Sequence, residues 1–242
     1  MKLSGNKVLV TGGASGIGLG LTERFVSENN RVIICGRRES VLKEAAEKFP
    51  SIITRKCDLS IPEQRIELFN WISKEHNDLN VLVNNAGIQH RMSISDDNFF
   101  PRANEEITIN IVAQVHIISL FLKLRKLNTI MNVTSGLSFV PMVTVPVYSA
   151  TKAFFHSYTL SLRHTVRADG IEIIEIIPPA LNTDLGGKGI HNYAPPVSEF
   201  IESVFEQLKQ GKTEITFGFT EAMTKAGPEE LQKAFERMNK QQ

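Results

Sequence analysis

The 242-residue sequence has only two cysteines and one tryptophan, and almost no excess of charge, with 27 Lys and Arg against 26 Asp and Glu. Cys35 and Cys57 are too few for a disulfide scaffold and form no C-x-x-C pair, which points to free thiols in a reducing cytoplasm. The six histidines show no metal-ligand spacing, so no metal site is expected. Basic residues are scattered among acidic ones, leaving no electrostatic footprint for a phosphate backbone; nucleic acid is not an expected partner. Long apolar runs are missing too. The most apolar window, Ile107 to Leu124, is broken by Asn110, Gln114, His116 and Lys123, and reads as a buried helix, not the roughly 18–20 apolar residues of a membrane span. The start places one positive charge ahead of polar Ser4-Gly5-Asn6, with no long apolar stretch and cleavage site, which disfavours a secretory leader.

What is present is an ordinary globular composition, 42% hydrophobic and 22% charged. Short β-branched runs alternate with longer segments of helical period, the rhythm of βαβ units. Expected strands are Lys7 to Thr11, Arg31 to Cys35, Ile52 to Cys57, Asn80 to Val83, Thr129 to Thr134, Glu172 to Ile177 and Glu214 to Phe217. Expected helices are Ile17 to Glu28, Ser40 to Lys48, Pro62 to Glu75, Glu105 to Arg125, Tyr148 to Ala168, Ser198 to Gln210 and Pro228 to Asn239. Strands this continuously apolar fit a sheet covered on both faces. The fold class is therefore α/β, a Rossmann-like doubly wound parallel sheet of about seven strands. No linker or repeat divides the chain, and one domain over 1–242 is the economical reading. Two irregular stretches, Gln89 to Arg102 and Asn182 to Pro196, follow strand ends where such sheets bind ligands; the second reads as a substrate-loop flap.

Directly after the first strand stands Thr11-Gly12-Gly13-Ala14-Ser15-Gly16-Ile17-Gly18, followed by a helix. Glycines allow a tight turn and close backbone approach to a pyrophosphate lying on the helix N-terminus. Alone, such a turn is often just a connection; the strand before and helix after give it weight. At the end of the second strand, where an NAD site places an acid, the chain reads Cys35-Gly36-Arg37-Arg38. Two guanidiniums suit a ribose 2′-phosphate, so NADP(H) is preferred, with NAD(H) left open. Either arginine could equally be a solvated strand-end charge.

Tyr148 and Lys152 stand at i and i+4, on one helix face. A phenol of ordinary pKa about 10 is moved toward phenolate by a nearby ammonium, which makes Tyr148 a candidate general acid/base. In isolation this pair is a common helix-surface contact. Asn132-Val133-Thr134-Ser135 adds a hydroxyl at a strand's carboxyl end.

In order and spacing, Thr11 to Gly18, Asn84-Asn85-Ala86-Gly87, Ser135 and Tyr148-x-x-x-Lys152 resemble the classical short-chain dehydrogenases/reductases, over residues 5 to about 185. The resemblance implies that Gly12, Ser15, Gly16, Ile17 and Gly18 surround the pyrophosphate and that Asp58 and Leu59 stand at the adenine. It further places Asn85, Ala86 and Gly87 at the cofactor ribose and central sheet, and Pro178 and Thr183 beside the nicotinamide. Asn110, Ser135, Tyr148 and Lys152 match the catalytic tetrad, Tyr148 and Lys152 also touching the cofactor. Asp58 could instead be a helix-entry acid and Asn110 a satisfied buried amide. One departure is Pro178-Pro179, where many members have Pro-Gly; Pro179 removes an N–H. The segments Lys2 to Asn6, Cys35 to Glu39, Arg65 to Trp71 and Val83 to Gln89 further resemble the DltE-like branch of the family.

The resemblance implies hydride transfer between NADP(H) and a small-molecule carbonyl/alcohol pair. A catalytically idle NADP(H)-binding regulatory protein is the second reading, because fold and cofactor site do not by themselves establish activity. Gln89, His90, Arg91, Lys188, His191 and Tyr193 could suit a polar substrate, with Leu137, Phe139, Met142 and Val143 as an apolar wall. Family members form homodimers or homotetramers through two long helices; a buried core helix fits Ile109 to Leu124 equally well.

Overall fold

All seven expected strands form and pair in parallel in the order β3-β2-β1-β4-β5-β6-β7. They are β1 (Lys7–Thr11), β2 (Arg31–Gly36), β3 (Ile53–Lys56), β4 (Val81–Asn84), β5 (Thr129–Val133), β6 (Glu172–Ile177) and β7 (Glu214–Thr216). This computed structural model describes residues 1–240; Gln241 and Gln242, the end of the expected 1–242 unit, lie outside the described residues. The helices are α1 (Gly16–Ser27), α2 (Glu39–Lys48), α3 (Pro62–Glu75), α4 (Phe99–Ile107), α5 (Ala113–Phe121), α6 (Pro146–Thr165), α7 (Val197–Lys209), α8 (Phe219–Met223) and α9 (Pro228–Asn239).

The continuous apolar character of the central strands follows from two cores, one on each sheet face. On one face Val8, Val10, Val32 and Ile34 pack against Leu21 and Phe25 of α1 and Phe200, Val204 and Phe205 of α7. On the other, Leu9, Ile33, Leu82 and Ile130 meet Leu68 and Ile72 of α3, Ile117 and Phe121 of α5 and Phe155 of α6. Because side chains alternate along a strand, a strand between two helical layers must be apolar at every position. Ile53-Thr54-Arg55-Lys56 of β3 departs from this pattern, being largely exposed, because it is a sheet edge.

The expected helix from Glu105 to Arg125 differs in both its start and its regularity. Helix begins at Phe99, inside the stretch read as irregular, because Pro101 falls in the first turn, where its missing N–H has no intrahelical partner to lose. Between α4 and α5 a π turn spans Thr108–Val112, with the Ala113 N–H bonded to the Thr108 carbonyl, five residues back. Single π turns open a helix locally and are found often at functional sites; this one holds Asn110. The short α8 also went unforeseen, since five residues give too little periodicity to read.

The strand order reverses between β1 and β4, which opens a crevice at the carboxyl ends of the strands. Among the described residues, no helix is long and apolar enough to cross a membrane.

Candidate active site

Turn 11–18 leaves β1 and enters α1 as the sequence indicates. Gly12 and Gly16 have φ of +64° and +53°, a region that L side chains rarely adopt. Gly18 is required for space: a Cβ there would stand 2.2 Å from the Gly12 carbonyl oxygen. The four glycines leave a tight turn with main chain open at the N-terminus of α1, and these residues fit a dinucleotide's diphosphate. Ile17 is half-buried against the first core, and Ser15 is exposed. Asn85 clamps the turn from β4, its Nδ2 donating to the Thr11 carbonyl at 3.0 Å, while the Asn85 and Ala86 N–H groups donate to Thr11 Oγ1.

At the end of β2, Arg37 and Arg38 are both exposed. Arg38 Nη2 donates to Ser15 Oγ at 3.4 Å, and Arg37 Nη1 lies 3.7 Å from Glu105 of α4. Asp58 Oδ1 accepts from Ser60 N and Oγ at 2.9 and 2.7 Å. Burial pushes its carboxyl up, but the Ser60 hydrogen bonds and the Arg37 charge outweigh that and hold it below the usual range. Leu59 is buried in the second core, with its carbonyl bonded to Arg65 Nη1 at 2.9 Å.

The crevice continues to the ends of β5 and β6. Ser135, extended after β5, caps a 3₁₀ turn by accepting from Leu137 N at 3.1 Å. Gly136 N donates to the Pro178 carbonyl at 2.9 Å, locking the ends of β5 and β6 together. Pro178 is buried and Pro179 half-buried. Thr183 follows on segment 182–196, close to Gly16, and its Oγ1 accepts from Leu185 N at 3.4 Å. That segment starts and ends at one point, because Asn182 and Pro196 form a β-bridge and Asn182 N donates to the Pro195 carbonyl at 2.9 Å.

Helix α6 brings Tyr148 and Lys152 to this edge, both buried. Lys152 Nζ donates to the Val133 carbonyl at 2.9 Å and lies 5.6 Å from the centroid of the Tyr148 ring. The expectation that Lys152 lowers the Tyr148 phenol is corrected here. Burial pushes the phenol above its ordinary value; the Ser135 hydroxyl acts against the rise and Glu106 adds to it. Lys152 is itself pushed down to about 8 by burial. Loss of water weakens both charged forms, and that outweighs their mutual attraction.

Segment 86–90, which includes Gly87, is held to the α4–α5 helix by a ladder that sequence reasoning missed. Gln114 Nε2 donates to the Ala86 carbonyl at 2.6 Å. Asn110 exchanges two 2.9 Å bonds with Ile88, donating to its carbonyl and accepting from its N–H, and also donates to Thr151 Oγ1. Glu106 Oε1 accepts from His90 N. Side chains four apart on the helix thus read alternate residues of a segment running the other way. Asn110 and Gln114 were visible as polar breaks in an apolar helix, but their partners were not.

A second hidden group lies below Ser135. Glu175, in the middle of β6, accepts from Thr134 Oγ1 at 2.7 Å and stands 2.8 Å from His156 Nδ1. His156 is one turn beyond Lys152 on α6, and its hydrogen bond to Glu175 holds the imidazole above its usual value, against burial. An acid inside Glu-Ile-Ile-Glu-Ile-Ile was the signal for it.

A glycine-rich turn at the switch point beside a buried Ser, Tyr and Lys defines the class. The short chain dehydrogenase family model matches residues 6–193, and the chain belongs to that family. It is 41% identical over 253 aligned positions, covering 100% of both chains, to the uncharacterized oxidoreductase DltE of Bacillus subtilis (strain 168), which bears out the expected branch. It is 27% identical over 234 positions, 94% of this chain and 86% of the relative, to the NADP-dependent 3-hydroxy acid dehydrogenase YdfG of Escherichia coli O6:H1. Its fold matches a short chain dehydrogenase from Burkholderia cenocepacia J2315 solved in complex with NADP, with a TM-score of 0.85 at 21% identity, covering 98% and 99% of the two chains. The chain is an oxidoreductase of this family.

Proposed function

We propose that this protein interconverts a small-molecule carbonyl and its alcohol with NADP(H) preferred over NAD(H), Tyr148 acting as general acid/base. The observation that carries the reading is the buried Ser135, Tyr148 and Lys152 gathered at the strand edge beside the glycine turn. Gly12, Ser15, Gly16, Ile17 and Gly18 would hold the diphosphate, and Arg37 and Arg38 a 2′-phosphate. Asp58 and Leu59 would lie at the adenine, Asn85, Ala86 and Gly87 at the ribose, and Pro178 and Thr183 at the nicotinamide. Held by these residues, the cofactor would supply hydride for the carbonyl carbon or take it up from the alcohol.

The chain's own residues handle the proton. In reduction, Tyr148 Oη gives its proton to the substrate oxygen as that oxygen becomes alcohol, and takes one back in oxidation. A phenol kept protonated by burial is suited to the first of these. Ser135 Oγ donates a hydrogen bond to the same oxygen. Lys152 steadies the phenolate left behind, and Asn110, in its π turn, supports the path that returns a proton. Segment 182–196 serves as the substrate flap, its ends fixed by the Asn182 bridge.

The relative active on 3-hydroxy acids makes that class the first to screen. Exposed apolar Ile107, Val112, Phe154 and Leu160 along α4 to α6 support a homodimer or homotetramer. The free, buried thiols of Cys35 and Cys57 support a cytoplasmic site of action.

The test is calorimetric titration with NADPH and NADH at matched ionic strength, followed by a carbonyl screen with whichever binds. Tighter NADPH binding and turnover that depends on Tyr148 are expected. Equal affinities would remove the NADP preference. Binding without turnover on any carbonyl would replace this reading with the catalytically idle regulatory one.

A further inference from the structure

We propose that Glu106 is a positioning residue of the site: its carboxyl fixes the His90 end of segment 86–90 and stands on the helix packed against that of Tyr148, where its charge acts on the phenol. This rests on the reading of Tyr148 as the acid/base, although its structural part can be tested without turnover.

Three observations carry it. The first is the ladder, in which Glu106, Asn110 and Gln114 are 0%, 2% and 1% exposed and hold residues 90, 88 and 86 in turn. Asn110 and Gln114 are amides, and they can satisfy carbonyls and N–H groups without charge. Only the rung nearest the cleft loop is ionisable. The second is that Glu106 Oε1 takes the His90 N–H while Oε2, also buried, has no hydrogen-bond partner among the described residues. A carboxylate needs several donors when water is excluded, and a single backbone N–H does not compensate a full charge. The third is placement: α4, which carries Glu106, packs against α6, which carries Tyr148, so an anion at Glu106 opposes charge on the phenol.

The charged and titratable groups around Glu106 come from three elements. From its own helix, Arg102 favours the carboxylate and Glu105 opposes it. From the loop comes His90, whose N–H favours the carboxylate and whose ring faces Glu105 at 3.1 Å. From α6 comes Tyr148. Burial dominates this balance, and the carboxyl is pushed up to about 7. Near neutral pH the group therefore passes between a neutral acid and a buried anion. As an acid it leaves Tyr148 freer to ionise. As an anion it holds the phenol in its protonated form.

The first measurement needs no substrate: ¹³C NMR of the labelled Glu side-chain carboxyls, with the Glu106 signal assigned by its loss in Glu106→Gln, and the His90 amide followed over the same pH range. A carboxyl midpoint near neutrality, shared by the His90 amide, is expected. A midpoint in the ordinary glutamate range, or a His90 amide indifferent to it, overturns the inference whether or not turnover is found. Rate profiles then read the effect on Tyr148. Glu106→Gln keeps an acceptor for His90 N, so it should move the pH limb of alcohol oxidation to lower pH and leave the substrate KM near wild type. Glu106→Leu removes the acceptor and should raise KM as well. If the limb stays where it is in both variants, the Tyr148 half of the proposal fails. A shared near-neutral midpoint in a protein that binds neither NADPH nor NADH would sink the reductase reading and leave the His90 assignment standing.

Discussion

Arg37, Arg38 and Ser15, at the ends of β1 and β2, are exposed side chains held by one another or by a surface carboxylate. Ser135, Tyr148, Lys152 and Asn110, around the ends of β4 and β5, are buried, and three of them use their side chains to bind main-chain groups. Exposed charges act through a screened field and can be exchanged without disturbing the core. Buried polar groups are part of the packing, and they cannot be moved without leaving a neighbour unsatisfied. On the proposed reading, cofactor choice on the first side is thus adjustable, whereas proton chemistry on the second is built into the fold.

The largest effect should come from the buried side. Tyr148→Phe is expected to lower carbonyl turnover by about 10²- to 10⁴-fold, the span of a lost general acid, with NADPH affinity unchanged. Steady-state kinetics and calorimetry on one preparation would show it; a variant of equal turnover removes Tyr148 from the chemistry.

Next is His156→Ala, which leaves Glu175 buried without its imidazole partner. A stability loss of up to about 3 kcal/mol is expected in urea unfolding, at the low end for a broken buried pair because the imidazole keeps a fifth of its surface exposed. The pair also sets a pH dependence of definite sign. His156 is raised in the folded state, so its contribution is fully present below the ordinary histidine value of about 6.5 and is lost as pH climbs through the raised value. Wild type should therefore lose more stability than His156→Gln as pH rises from below about 6.5 through that raised value. Parallel curves would mean that the pair carries no linkage.

Gly18→Ala tests the boundary between the two sides, because its Cβ would collide with the Gly12 main chain as well as with the Asn85 amide that clamps the turn. Overpacking of this kind costs about 1–3 kcal/mol, and cofactor binding should weaken with it. The smallest change should come from the exposed side. Arg37→Ala with Arg38→Ala is expected to weaken NADPH by about tenfold, leave NADH alone, and narrow the difference as salt is added. Equal weakening of both cofactors would break the contrast between an adjustable and a built-in half.

The sequence showed what is local in the chain and hid what is assembled across it. Gly12 to Gly18 is continuous, so its spacing alone indicates a tight turn. Tyr148 and Lys152 are one helical turn apart, and Ser135 ends a strand that reads as one. The starts of α3 and α9 were legible from Pro62 and Pro228 at first-turn positions. The His90–Glu106 and Glu175–His156 contacts join residues 16 and 19 positions apart on different elements, and no periodicity reports such pairs. The rise of the Tyr148 phenol was misjudged for the same reason, since the sequence displays the neighbouring ammonium but not the water that packing removes. Pro101 misled by standing where a helix start and a loop read alike.

The bridge between Asn182 and Pro196 has an evolutionary consequence. With both ends of the intervening segment anchored at one point, the sheet meets it as a single attachment, and the stretch beyond Thr183 can change without moving that anchor. Doubling the length of such a loop adds only about 0.6 kcal/mol of closure entropy. Insertions, deletions and wholesale replacement can therefore accumulate there under selection for new substrates while the scaffold beneath stays unchanged. If the segment is the substrate flap proposed above, it is a natural cassette, where sequence grafted between Thr183 and Pro196 would reset what enters the crevice.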